Sequence, residues 1–172
     1  MDFSQLKKLT IGGIELKQLF IDGIQIWKAI SYINQIPVST DASGAIYNGK
    51  GYKEKTYINN GVEGSNSTTD STGFIPCKVG DIIRMKNMPF SSTVAQCRIS
   101  FFKSDKTFIG QVLVSSSWYM DTKFIGVKDS NGNYTELTIT NVSGITANCA
   151  FVRITAIDIT ADSVVTINQE IN

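Results

Sequence analysis

The stretch Phe151-Val152-Arg153-Ile154-Thr155-Ala156-Ile157, followed after a polar break by Val165-Thr166-Ile167, decides the fold. Val165-Thr166-Ile167 alternates cleanly and the longer run unevenly, as expected of strands with one face on a core and the other towards solvent. Working outward, short apolar runs separated by Gly, Asn, Ser and Asp predict strands at Gly44 to Tyr47, Lys55 to Ile58, Gly73 to Cys77, Asp81 to Lys86 and Cys97 to Lys103. Further strands are predicted at Gln111 to Ser115, Thr122 to Lys128, Tyr134 to Ile139, Ala150 to Ile157 and Ser163 to Asn168. Many short strands at close spacing predict an all-β fold, a jelly-roll-like β-sandwich over residues 37–172. No helical period is sustained. Only Trp27 to Ile33 has room for a helical turn or two, and continuation of a strand is the other reading.

The turns have a chemical basis. Val79-Gly80-Asp81 reads as a turn into a core strand, and Ser104-Asp105-Lys106 as the turn between Phe101-Phe102 and Phe108-Ile109. In Asp129-Ser130-Asn131-Gly132-Asn133 the Asn-Gly pair supplies the positive-φ residues of a hairpin loop. That loop also places oxygen ligands at alternate positions, like the opening of a calcium loop, but lacks the later bidentate acid, so no metal is expected. The longest polar stretch, Asn59 to Gly73, is expected to be a loop, either solvated or used for hydrogen bonding to sugar hydroxyls or a neighbouring subunit.

Towards the amino terminus an internal repeat of period ten occupies residues 9–28: Leu-Thr-Ile-Gly-Gly-Ile-Glu-Leu, then Leu-Phe-Ile-Asp-Gly-Ile-Gln-Ile. Gly12-Gly13 and Asp22-Gly23 suit two-residue hairpin turns. Such turns place Ile11 opposite Ile14, Leu9 opposite Leu16, Ile21 opposite Ile24 and Leu19 opposite Ile26. Each hairpin then carries one aliphatic face, and Phe20 and Trp27 add apolar surface to the second. An isolated hairpin is marginally stable in water, so these faces need a partner. Residues 1–36 are therefore expected to be a hairpin docking module and linker, with Leu9, Ile11, Ile14, Leu16, Leu19, Ile21, Ile24, Ile26 and Trp27 as the docking residues.

Composition narrows the chemistry. The 172 residues include no histidine, which removes imidazole-activated nucleophiles, histidine-ligated zinc and simple proton shuttling near neutral pH. A formal net charge of +1 offers no basic excess for neutralising phosphates, so nucleic acid is not expected as a partner. No signal peptide and no apolar run of membrane-spanning length is visible, so synthesis in a cytoplasm without membrane insertion is expected. Cys77, Cys97 and Cys149 are too far apart for a CxxC motif and are expected as small buried thiols, a disulfide or a reactive thiol being the alternatives.

A glycosidase would need two carboxylates across a sugar ring. Asp41, Glu54, Glu63 and Asp70 cluster around the polar stretch, but isolated acids in loops are normally solvated, so no catalytic residue is expected. Gly49-Lys50-Gly51 lacks the spacing of a phosphate loop. Sugar binding instead uses exposed aromatic rings beside polar side chains. Trp118 and Tyr119, after Ser115-Ser116-Ser117, and Tyr52 and Tyr57, before the polar stretch, are the candidate glycan contacts.

The segment Thr10 to Lys28 resembles one recurring in virion structural proteins of tailed phages of Gram-positive bacteria and related phage-like particles. Four further blocks occur in order: Ile46 to Glu54, Thr72 to Arg84, Ile99 to Lys106 and Ala147 to Arg153. They resemble a β-sandwich of phage tail and receptor-binding proteins that is similar to jelly-roll carbohydrate-binding modules. The resemblance implies a non-enzymatic virion component of tail, baseplate or fibre, acting in assembly and host-surface attachment without a cofactor. Its implied partners are other virion proteins, further copies of itself as a homo-oligomer with a trimer favoured, and a host cell-wall glycan. The alternatives are a carbohydrate-binding module recognising a cell-wall glycan and a head-decoration or head-fibre subunit.

Overall fold

The computed structural model describes residues 9–11, 14–16, 18–21, 24–28, 32–90, 97–113, 125–128, 134–139, 148–169 and 171. Among them there is no α-helix, and a single 3-10 turn spans Tyr47–Gly49. The amino-terminal strands are β1 (Leu9–Ile11), β2 (Ile14–Leu16), β3 (Gln18–Ile21) and β4 (Ile24–Lys28). Next come β5 (Tyr52–Lys53), β6 (Thr56–Asn59), β7 (Val62–Ser65), β8 (Asp70–Thr72), β9 (Ile75–Pro76) and β10 (Ile82–Lys86). The remainder are β11 (Arg98–Phe102), β12 (Phe108–Leu113), β13 (Ile125–Lys128), β14 (Tyr134–Thr138), β15 (Phe151–Ala156) and β16 (Val164–Ile167).

Two antiparallel sheets make the expected all-β sandwich. One has the order β13-β14-β10-β16, and the other runs β12-β11-β15-β8-β5 with β9 added on β15. Alternate residues of both sheets meet in one core: Ile83, Met85, Leu137 and Val165 from the first, Ile99, Phe101, Val112, Val152, Ile154 and Ala156 from the second. Full burial of each of these side chains larger than alanine contributes about 1.5–3 kcal/mol, which makes this layer the main source of stability. Ile36 is also in that core, and Gln35 N donates to Val165 O at 2.8 Å, so the chain is fixed to β16 before residue 37.

The uneven alternation of β15 has a structural cause. Its outward residues are not solvated, because β6 and β7 form a two-stranded hairpin that packs over the outer face of the larger sheet. The second, smaller core beneath it contains Ile58, Phe74 and Phe102 with Phe108 and Phe151 against them, and the Phe74 and Phe102 rings meet edge-on at 5.0 Å. The rest of the layer is polar. Ile58 N donates to Thr155 Oγ1 at 3.2 Å, the Ser71 and Thr155 hydroxyls lie 3.1 Å apart, and Arg98 Nη1 donates to Asn59 Oδ1 at 2.5 Å. Both faces of β11 and β15 are therefore buried, correcting the expectation of a solvent-facing side.

The polar stretch Asn59 to Gly73 is likewise not one loop, since it contains β7 and all three buried residues of β8. Asp-Ser-Thr carries no apolar alternation, and these side chains are buried because their oxygens are hydrogen-bonded. Gly44 to Tyr47 is not a strand: Thr40 and Ile46 form an isolated bridge, and the Asp41 carboxylate turns the chain by accepting from Ser43 N at 2.8 Å and Ala45 N at 3.2 Å. Within Gly73 to Cys77 only Ile75–Pro76 pairs with β15, because Phe74 bridges to Thr40 instead. The turns at 79–81 and 104–106 occur as expected, with Gly80 at φ 94° and Lys106 at φ 66°.

The two amino-terminal hairpins form separate two-stranded sheets. In the first, Ile11 faces Ile14 and Leu9 faces Leu16, as the two-residue turn requires. In the second, Ile21 faces Ile24, but Leu19 pairs with Trp27 rather than Ile26, because a register shift between Leu19 and Phe20 inserts Ile26 as an extra residue. Residues 29–31, part of the stretch with room for a helical turn, lie outside the described residues.

Candidate functional site

The site is built on one buried carboxylate. Asp70, at the start of β8, accepts from Lys55 N through Oδ1 and from Ile159 N through Oδ2, both at 2.9 Å. It joins two segments that the sequence separates widely, each containing a left-handed residue, Lys55 at φ 56° and Asp158 at φ 49°. Between them runs an open groove of about 610 Å³, lined by Tyr52, Glu54, Lys55, residues 67–70 and residues 158–161. A second groove of about 500 Å³ shares Ala161 and continues past Asn34, Asn87 and Asp162.

The groove combines one aromatic ring with hydroxyls and acids. Tyr52 is half-buried and carries Lys50 Nζ 4.7 Å from its ring centroid. Lys50 in turn pairs with Glu54 at 2.5 Å, and this hydrogen bond and charge hold the Glu54 carboxyl below its ordinary range. Thr68 is fixed by Asn66 Oδ1, which accepts from its N and its Oγ1 at 2.8 Å each. Thr160 is held by its backbone N, which donates to Ser163 Oγ at 3.0 Å. An aromatic face beside immobilised hydroxyl and carboxylate groups is the chemistry that recognises the C–H face and hydroxyls of a sugar.

The other sequence-selected groups are placed differently. Tyr57 lies on β6 opposite Gly64, where its ring takes the space a Cβ would need, so it packs the hairpin rather than lining the groove. Trp118 and Tyr119 lie outside the described residues, as do 129–133 of the loop between the paired strands β13 and β14. Asp41 caps its own turn. Glu63 bridges three groups: Oε1 meets Lys53 Nζ at 2.7 Å, while Oε2 accepts from the Tyr47 hydroxyl and from Arg153 Nη2 at 3.1 Å. Burial, then the bond to Glu63, pushes the Tyr47 hydroxyl up to about 12. Sequence reasoning selected Tyr52 but missed Asp158 and Thr160. A single acid among the small hydroxyl residues 67–72 was the available cue, because a carboxylate there has to find backbone donors.

The residues expected to dock, Leu9, Ile11, Ile14, Leu16, Leu19, Ile21, Ile24, Ile26 and Trp27, all fall on the paired strands β1 to β4. Among the described residues, no helix is long and apolar enough to cross a membrane, and no three His, Cys, Asp or Glu side chains converge as metal ligands.

Comparison with family models, curated proteins and solved structures finds no match to the chain.

Proposed function

We propose that this chain is a non-enzymatic structural component of a phage or phage-like particle, of tail, baseplate or fibre type. In this reading the two hairpins dock it to other virion proteins or to further copies of itself, and the sandwich is the structural or adhesive module. The observation that carries the docking role is the pair of separate two-stranded sheets of aliphatic pattern, a unit too small to be stable without a partner surface. The assignment to a virion rests on the sequence resemblance of residues 10–28 and of the sandwich blocks. Homo-oligomers of such appendages close by symmetry, and a trimer is the expected state. Light scattering with and without residues 1–30 tests it: an oligomer that becomes a monomer on truncation supports docking, and a monomer in both cases refutes it.

A second reading is glycan recognition, favoured by the Tyr52 groove. Here the adhesive surface lies along Tyr52, Thr68, Asp158 and Thr160, and a cell-wall polysaccharide is the ligand class. Pull-down on purified Gram-positive cell walls is expected to retain the full chain and to lose Tyr52→Ala by tenfold or more. Equal retention of both proteins would remove the groove from that role.

A further inference from the structure

Cys77 and Cys149 stand 72 positions apart in sequence, yet their sulfur atoms lie 3.4 Å apart at the edge of the main core. Cys77 follows β9 and Cys149 precedes β15, and Cys77 N donates to Ala150 O at 3.0 Å, so the antiparallel ladder continues to this point. This register sets Cys77 opposite Ala150, the chain neighbour of Cys149, and closing the bond has to shorten the 3.4 Å sulfur separation to about 2.0 Å. Both thiols are free and buried, with 9% and 7% of their surfaces exposed. The third cysteine, Cys97, lies fully buried in β10's partner layer at the foot of β11.

We infer that Cys77 and Cys149 are an oxidisable pair that closes to a disulfide when the protein passes from reducing to oxidising surroundings, fastening β9 to β15.

The chemistry has a direction. Either thiol can donate across this contact, which holds the Cys149 thiol below its ordinary range and, with burial, raises Cys77. Cys149 is therefore the attacking thiolate. With a small-molecule disulfide as oxidant, Cys149 attacks one sulfur, forms a mixed disulfide and expels one thiolate. Cys77, giving up its proton, then attacks the Cys149 sulfur and expels the second. The protein loses two protons and two electrons, and the oxidant takes them up to become two thiols. β9 pairs with β15 through two residues only, so opening this ladder end is enough to admit the oxidant.

The cross-link would enclose the intervening chain, including β10 to β14, and restrict the unfolded state. The test uses the full chain incubated with oxidised glutathione, followed by intact mass, peptide mapping without reduction and thermal denaturation. The expected result is a mass lower by two hydrogens, a Cys77–Cys149 peptide and a Tm rise of roughly 5–10 °C that reducing agent reverses. Cys97→Ser should behave identically. Thiols that stay reduced, glutathione adducts without closure, or a bond to Cys97 would each overturn the inference.

Discussion

Arg153 and Glu63 join the outer face of the larger sheet to the hairpin that covers it, with Nη2 and Oε2 3.1 Å apart. The same guanidinium donates from Nε to Thr72 O at 2.8 Å and lies 4.8 Å from the Tyr47 ring and 5.1 Å from the Phe74 ring. Arg153 is nearly fully buried, whereas Glu63 keeps 29% of its side chain exposed.

That asymmetry predicts unequal substitutions. Arg153→Ala removes a charge-assisted bond to a carbonyl and two ring contacts from a buried site, and is expected to cost about 3 kcal/mol. Glu63→Gln keeps a carbonyl acceptor at a partly solvated position and is expected to cost about 1 kcal/mol. Urea denaturation of both variants measures the difference, and equal losses would contradict the assignment.

The same cluster sets a pH dependence at both ends. Burial raises the Glu63 carboxyl, but hydrogen bonds from Lys53, Tyr47 and Arg153 outweigh it, and the net value is lowered from the ordinary 4.5. Its stabilising contribution is therefore complete above 4.5 and is lost as pH falls through the lowered folded value. Tyr47 is raised from 10.0 to about 12 by burial and by its bond to Glu63, so its contribution is complete below 10 and is lost as pH rises towards 12. Thermal denaturation across pH, with phenolate absorbance for Tyr47, checks both limbs; Tyr47→Phe should flatten the alkaline one.

Asp70→Asn leaves one acceptor oxygen for two backbone donors, Lys55 N and Ile159 N. An unbonded buried N–H costs about 1–3 kcal/mol, and a loss of that size is expected in denaturant unfolding. Since the substitution loosens both rims of the groove, it should also weaken any polysaccharide retention that Tyr52→Ala abolishes.

Two glycines of similar φ should respond very differently to alanine. Gly44 (φ 94°) has open space where a Cβ would stand, so Gly44→Ala is expected to cost only the left-handed strain of about 1–2 kcal/mol. At Gly51 (φ 82°) the Cβ would fall 1.6 Å from Ile36 O, and backbone cannot yield as a side chain can. Gly51→Ala should lose most of the folded population in the same assay.

Ser100 in β11 is fully buried, and its Oγ has no hydrogen-bond partner among the described residues. Burying an unbonded hydroxyl costs about 1–3 kcal/mol, so Ser100→Ala is expected to be neutral or stabilising by up to about 2 kcal/mol. A clear loss of stability would show that the hydroxyl is bonded in solution.

The local part of this fold was legible in the residues. Glycine pairs and alternating aliphatics determined the hairpins, because turn geometry and a period of two act over neighbours. Ile11 does face Ile14, and the strands through Ile83, Ile99, Ile154 and Val165 lie close to where their patterns put them. What only the tertiary structure decided is the layer over β15 and the groove beside it. Ser71 and Thr72 are polar enough to read as loop, and become a buried strand only once Thr155, Ile154 and Thr56 provide their hydrogen bonds. Asp70 likewise means little until Ile159, 89 positions away, comes within reach of its carboxylate. Polar burial depends on partners distant in sequence, whereas apolar burial is announced by the side chain itself.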